Sequence, residues 1–268
     1  LNSGFKKIFS LLGDYGVNIS FLGGETADLP DQMRTLDVCG ALYGRVELSK
    51  AINGEEVEPG NLIVGLRSGG KTEYEDRENS GIMCNGITLA RHCLMKGDYE
   101  EKYPEIGRPE TEYYGQYEFD DSPAELNMTV GEAITSPTRI FAPILKEMIE
   151  QHGERINGIV HNTGGGQTKS MAIGENIHYI KDNLIEPDPI FNLIKEESGE
   201  IWRAMYEDYN MGTGFEVIVE EDYAERLIDI AEKFDLGAKV IGRCEKSDEG
   251  NKVTIKSQFG EFEYKERD

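Results

Sequence analysis

The chain has 268 residues, 38% of them hydrophobic and 9% aromatic, so it can build a full core and belongs with folded proteins although 29% of its residues are charged. Its 51 acidic and 28 basic residues leave a net charge of -23, which repels polyanions and excludes nucleic acid as a natural partner. Cys39, Cys84, Cys93 and Cys244 form no C-x-x-C pair, and neither a bilayer-length apolar run nor a leader-like N-terminus occurs, so a cytoplasmic protein without membrane contact is expected.

Phe5 to Leu12 carries apolar residues at helical spacing, and Gly13 and Gly16 end that helix before an apolar stretch, Val17 to Leu22, read as a strand from Asn18. Leu36 to Leu48 alternates like a buried strand. Ser49 to Gly60 is a polar connector containing Asn53-Gly54 and Pro59-Gly60, so a domain boundary is placed there, dividing residues 1–52 from 53–268. Asn61 to Leu66 reads as the next strand, Arg67 to Gly81 as a charged glycine-rich loop, and Ile82 to Met95 as a helix. Lys96 to Ser136 is rich in tyrosine, acid and proline and reads as an exposed excursion with one short hairpin or helix. Pro137 opens an amphipathic helix through Ile149, with Ile140, Ile144, Leu145 and Met148 on its apolar face. Then follow a strand Gly158 to His161, a helix from Gly165, helices Pro189 to Glu197 and Gly199 to Tyr206, and a strand Gly214 to Val219. A helix Glu221 to Phe234, a strand Ala238 to Arg243 and a hairpin Lys252 to Tyr264 close the chain. This interleaving predicts an α/β or α+β fold with a mixed sheet covered by helices.

The residues that point to chemistry are His161-Asn162-Thr163-Gly164-Gly165-Gly166, between a strand and a helix. Three glycines at such a junction expose backbone N–H groups at the positive end of the helix, a seat for phosphate or carboxylate. A tight turn that only joins the two elements is the alternative. Gly23-Gly24-Glu25-Thr26 likewise places a carboxylate and a hydroxyl after two permissive residues. Glu25 suits magnesium, which takes a few carboxylates with water and phosphate oxygens; an N-cap partner or a surface acid is the other reading. His92, His152, His161 and His178 lack zinc spacing. His161 is a candidate acid or polarising group, against a purely structural histidine at a strand end. Arg139 is read chiefly as an ion-pair partner, and Asn210 to Gly214 as a structural turn packed under the phosphate loop.

Together these motifs resemble phosphoribosylformylglycinamidine cyclo-ligase, the aminoimidazole ribonucleotide synthetase family. The resemblance is carried in order by Gly23-Gly24-Glu25-Thr26-Ala27, Asn85-Gly86, Ser136-Pro137-Thr138-Arg139-Ile140, His161 through Gly166, Pro189-Ile190-Phe191 and Asn210-Met211-Gly212-Thr213-Gly214. The length of Lys96 to Ser136 places the chain with the longer-loop members. The resemblance implies a complete C-terminal α/β substrate-binding domain, preceded by the end of an ATP-binding domain through which the protein forms a homodimer. Leu1 falls inside a predicted helix, and the family's upstream Asp-Gly-Val-Gly-Thr-Lys segment does not occur, so an N-terminally truncated and inactive fragment is expected. The short members read His-Ser-Asn-Gly where this chain has Met83-Cys84-Asn85-Gly86, so only Asn85 and Gly86 are carried over.

What the resemblance implies is the ATP-dependent closure of formylglycinamidine ribonucleotide to aminoimidazole ribonucleotide in purine biosynthesis, with release of ADP and phosphate. ATP phosphorylates the amide oxygen, a poor leaving group, and an amidine nitrogen then displaces phosphate. On that reading His161 and Asn85 are catalytic; Gly23, Gly24 and Thr26 bind ATP; Glu25 holds Mg2+; and Thr163, Gly164, Gly165, Gly166 and Gly86 bind the substrate. Two alternatives stand beside it: another ATP-using member of the superfamily, such as a selenophosphate synthetase-like or thiamine-monophosphate kinase-like enzyme, and a non-catalytic dimerisation or phosphate-sensing module.

Overall fold

A computed structural model describes residues 1–105 and 112–265. Seven strands form one sheet: β1 (Leu62–Arg67), β2 (Ile156–His161), β3 (Ile177–Lys181), β4 (Thr213–Val219), β5 (Ala238–Lys246), β6 (Lys252–Ser257) and β7 (Gly260–Lys265), in the order β2-β4-β1-β5-β3-β6-β7. Neighbours are antiparallel except β3 and β6, so the sheet is mixed, as expected. The helices are α1 (Asn2–Asp14), α2 (Ile87–Leu94), α3 (Asp98–Lys102), α4 (Val130–Ile134), α5 (Ala142–His152), α6 (Pro189–Ser198), α7 (Trp202–Asp208) and α8 (Ala224–Glu232).

Two apolar layers flank the sheet. On one side α8 buries Ala224, Leu227, Ile230 and Ala231 at helical spacing over β1 and β5, and α5 packs beside it through Ile144 and Met148. On the other, α2, α4, α6 and α7 form the larger cluster. Covering on both faces explains why every residue of β4 is buried: Phe215, Val217 and Val219 face the first layer and Ile218 the second. That second face is where the glycine turn sits.

Several expectations are corrected. Asn18 to Leu22 and Leu36 to Leu48 form no strand; residues 17–47 run as coil, and Leu22, Leu36, Leu42 and Tyr43 are exposed. Apolar alternation makes a strand only where a neighbouring strand takes up the backbone N–H and C=O groups, and no described residue pairs with this stretch. α1 forms as expected and docks through Tyr15, whose ring meets Tyr74 at 5.5 Å and Phe234 at 5.8 Å. The helix read from Ile82 begins only at Ile87, because Met83 (φ 59) and Gly86 (φ 70) turn the backbone left-handed. The helix read from Pro137 begins at Ala142, with Pro143 in its first turn; Ile140 lies outside it. The excursion carries two short helices, α3 and α4, and buries Tyr113, Leu126, Val130 and Ala133, so it is part of the core rather than an exposed insertion; its residues 106–111 lie outside the described residues. β3 has no counterpart in the predicted elements.

Candidate functional site

The glycine turn follows β2 as placed by the sequence, but it leads into a seven-residue 3-10 helix, Gly166–Ala172, rather than an α-helix. The macrodipole of so short and tight an element is weak, so the expected α-helix N-terminus is not there, and any anion at this point would meet the amides of the turn itself. Gly165 (φ 93) and Gly166 (φ 49) are both left-handed, a conformation that glycine enters without steric cost. The N–H of Gly166 donates to Thr163 O at 2.9 Å and that of Thr168 to Gly165 O at 2.9 Å. Gly164 and Gly165 are exposed, and their own N–H groups meet no acceptor among the described residues. Two adjacent amides on exposed residues, with no acceptor among the described residues, can grip an anion.

Lys169 supplies charge there. Its Nζ donates to Thr163 Oγ1 at 2.7 Å, folding the side chain back over the turn. Beside it lies a hollow of about 450 Å3 whose lining includes Lys169, Arg203, Lys265 and Glu207. Sequence reading passed over Lys169, although a lysine three residues beyond the last glycine, one 3-10 turn away, was the signal.

Asn85 stands on the other side: its Oδ1 lies 3.7 Å from where a Gly164 Cβ would be, and its Nδ2 donates to Asp208 O. Asn85 and the turn are therefore brought together. Gly86 is instead covered by Tyr209, whose ring would stand 2.2 Å from a Cβ there and whose hydroxyl donates to Gly86 O at 2.9 Å. Packing accounts for that glycine.

His161 ends β2 with its ring between Phe141 (centroids 5.8 Å) and Phe215 (5.3 Å). Its Nε2 is buried with no partner among the described residues. Burial, and secondarily the Lys169 ammonium, hold the imidazole below its ordinary pKa, so it is neutral at physiological pH and poorly suited to donate a proton. Gly23, Gly24, Glu25 and Thr26 lie in the exposed coil, and none of them bonds to the glycine turn.

The floor of the site is polar; the Asn210 turn was expected beneath the glycines, but its bonds and partners were not. Asn210 is its hub: Oδ1 accepts from Ser68 Oγ (2.7 Å) and Gly212 N (3.0 Å), Nδ2 donates to Gly81 O (2.8 Å), and its carbonyl accepts from Gln167 Nε2 (2.9 Å). The Asn210–Gly212 turn thus ties the glycine turn to the 68–82 loop, in keeping with the structural role expected of it. Arg139 is buried and fully bonded, to both Glu75 carboxylate oxygens and to the carbonyls of Arg67, Gly69 and Gly70. Glu75 and the three carbonyls together leave it no donor for phosphate. Below the same loop Asp188 accepts from Arg67 Nη2 at 2.5 Å, caged where a Cβ on Gly69 or Gly81 would collide with it. Burial pushes its carboxyl above the usual range despite Arg67.

The family model of AIR synthase related protein, C-terminal domain, matches residues 58–253. The chain belongs to this family. Among curated AIR synthase-family relatives, phosphoribosylformylglycinamidine cyclo-ligase of Methanocaldococcus jannaschii is 36% identical over 262 residues, covering 96% of this chain and 63% of its own. The enzyme of the same name from Methanococcus maripaludis strain C7 is 35% identical over 254 residues, covering 95% of this chain and 61% of its own. The chain thus spans about three-fifths of the length of these relatives. Among solved structures, phosphoribosylformylglycinamidine synthase II of Thermotoga maritima aligns at 14% identity and a TM-score of 0.42, over 82% of this chain and 27% of that one.

Proposed function

We propose that the whole protein is an ATP-dependent cyclo-ligase that closes formylglycinamidine ribonucleotide to aminoimidazole ribonucleotide in purine biosynthesis, releasing ADP and phosphate. The observation that carries this reading is the pair of unclaimed N–H groups on Gly164 and Gly165 beside the Lys169 ammonium, in a chain of the AIR synthase family. In the proposed roles, that pair and Thr163 hold the 5′-phosphate of the ribonucleotide, and Lys169 balances its charge. The adjacent hollow of about 450 Å3 is of a size for the remainder of such a ligand. Asn85 holds the amide of the substrate from the opposite side. His161 serves as a neutral hydrogen-bonding wall rather than an acid, in line with its lowered pKa.

Residues 1–52 are proposed as the end of the ATP-binding domain and of the homodimer contact, with Gly23, Gly24 and Thr26 toward ATP; 53–268 would be the substrate-binding domain. The exposed apolar side chains of residues 17–47 support a partner surface for the first of these. For magnesium, Glu25 offers one exposed carboxylate of the kind the ion takes together with water and phosphate oxygens; no group of three His, Cys, Asp or Glu side chains that could hold a metal occurs among the described residues. The free cysteines support a reducing compartment, and no described helix is long and apolar enough to cross a membrane. The test is ADP release dependent on formylglycinamidine ribonucleotide in the whole protein. Asn85→Ala and Lys169→Ala should each lower turnover or raise KM, and unchanged kinetics in both would remove this site from the reaction.

A further inference from the structure

Glu216 is the one charged residue in β4, a strand otherwise apolar or small and wholly buried, and Lys181 ends β3; both side chains are 0% exposed. β1 and β5 lie between their strands, so Lys181 reaches across the face of the sheet to place its Nζ 2.6 Å from Glu216 Oε1. Two ions removed from water gain little net stability from each other, and well-packed apolar side chains of similar volume commonly do as well. Something other than stability therefore has to account for a charged tie of this length.

Its other bonds supply that account. Lys181 Nζ also donates to the carbonyl of Gln167 at 2.5 Å, immediately after the glycines. Glu216 Oε1 also accepts from Asn162 Nδ2 at 2.7 Å, two residues before the first of them, and the same Nδ2 donates to Thr213 O at 2.9 Å. One ion pair thus holds both ends of the turn, while Gly164 and Gly165 at its crest make no backbone bond through their own N–H groups. A turn pinned at entry and exit keeps its crest amides in one orientation, and pre-set donors bind an anion without reorganising.

We infer that Lys181 and Glu216 are a positioning pair for the anion seat, fixing Asn162 and Gln167 so that the Gly164 and Gly165 N–H groups stay aimed at the ligand. This rests on the reading of the turn as a phosphate seat. Neither side chain touches the ligand.

The test is amide NMR of the 268-residue chain titrated with inorganic phosphate, in wild type and in the double variant Lys181→Met, Glu216→Met. The double variant leaves no unpaired buried charge. It is expected to melt close to wild type, to show loosened Gly164 and Gly165 amides, and to bind phosphate at them roughly 10-fold more weakly or worse. Asn162→Ala, which frees only the entry end, should give the same loss in smaller measure, and it serves where the double variant does not fold. Phosphate binding and turn order that match wild type in these variants overturn the positioning role alone. Wild-type protein whose Gly164 and Gly165 amides ignore phosphate overturns the seat, and the positioning role with it.

Discussion

Gly166 lies so close to the end of α7 that a Cβ built on it would stand 2.5 Å from the backbone oxygen of Tyr209. The glycine turn is therefore wedged against a helix terminus, and the third glycine is required by backbone contact, whereas the first two are open to solvent. Gly166→Ala should destabilise the chain by about 2–4 kcal/mol, from the left-handed strain plus the forced shift of the helix end. Gly165→Ala meets nothing closer than Lys169 Cβ at 3.7 Å and should cost only about 1 kcal/mol. Urea denaturation of the two variants checks the order; equal losses would mean the contact at Gly166 gives way freely.

Asn210 joins three loops: its buried side chain bonds the 68–82 loop and its own turn, and its carbonyl accepts from Gln167. Asn210→Ala strands Gly212 N and the carbonyl of Gly81 and leaves Ser68 Oγ with only its longer bond to Asp188 Oδ2 at 3.5 Å, all groups that sit away from water. The expected loss is about 2–4 kcal/mol, since each orphaned polar group forfeits its hydration. Exchange of amide hydrogens should quicken in both the 68–82 and 162–168 segments, although only one residue has changed. Acceleration confined to residues 209–213 would show that the two loops are not coupled through it.

The neutral, buried His161 makes stability depend on pH. Its folded pKa is depressed below the ordinary 6.5, so the unfolded chain takes up a proton first. Stability is complete above that value and falls as pH drops through it toward the folded pKa. His161→Phe fills the same aromatic gap between Phe141 and Phe215 with a group that cannot titrate, so melting temperature should decline less between pH 7 and pH 5 than in wild type. Parallel acid limbs for the two proteins would assign the loss to other groups, His178 first among them, because burial lowers its pKa too.

Residues 17–47 offer a test of how far sequence pattern determines structure. Their amides should exchange within seconds while those of β1, β4 and β5 are slow, because the former have few backbone acceptors and the latter are laddered on both sides. Slow exchange at Asn18–Leu22 would restore the strand that alternation suggested. That alternation was legible, but a strand is a property of two segments, and the sequence of one segment does not contain its partner. β1, β2 and β4 to β7 were legible because their apolar pattern coincides with real pairing. β3 was not: Ile177–Lys181 is only five residues and ends in a lysine, which reads as a surface residue until Glu216 is seen to receive it.

The site divides in the same way. The glycine turn follows from a local signal, because positive φ favours glycine, whereas Asn85 was carried by the family resemblance and its nearness to Gly164 is seen only in the fold. Of the floor beneath it only the Asn210 turn was read; Asn162, Gln167, Lys181 and Glu216 were not, since they meet only through the sheet order. Arg139 was legible as to type: it was read chiefly as an ion-pair partner, and its donors are all taken by Glu75 and three carbonyls, though which acid it meets is set by the fold.

Lys169 ties the electrostatics of the turn to the titration of His161, and this gives two independent readouts from one substitution. The ammonium lowers the His161 pKa, so Lys169→Gln should raise it, moving the imidazole resonance upward in pH without altering the aromatic contacts of the ring. The same variant should weaken inorganic phosphate at Gly164 and Gly165, because a charge-assisted donor stronger than a neutral one is gone. Thr163→Val separates the two effects: it removes the hydroxyl that Lys169 bonds at 2.7 Å but leaves the charge, so the His161 titration should stay low while the lysine loses its fixed position. A His161 titration unmoved by Lys169→Gln would mean that burial alone sets it, and would detach the imidazole from the anion seat.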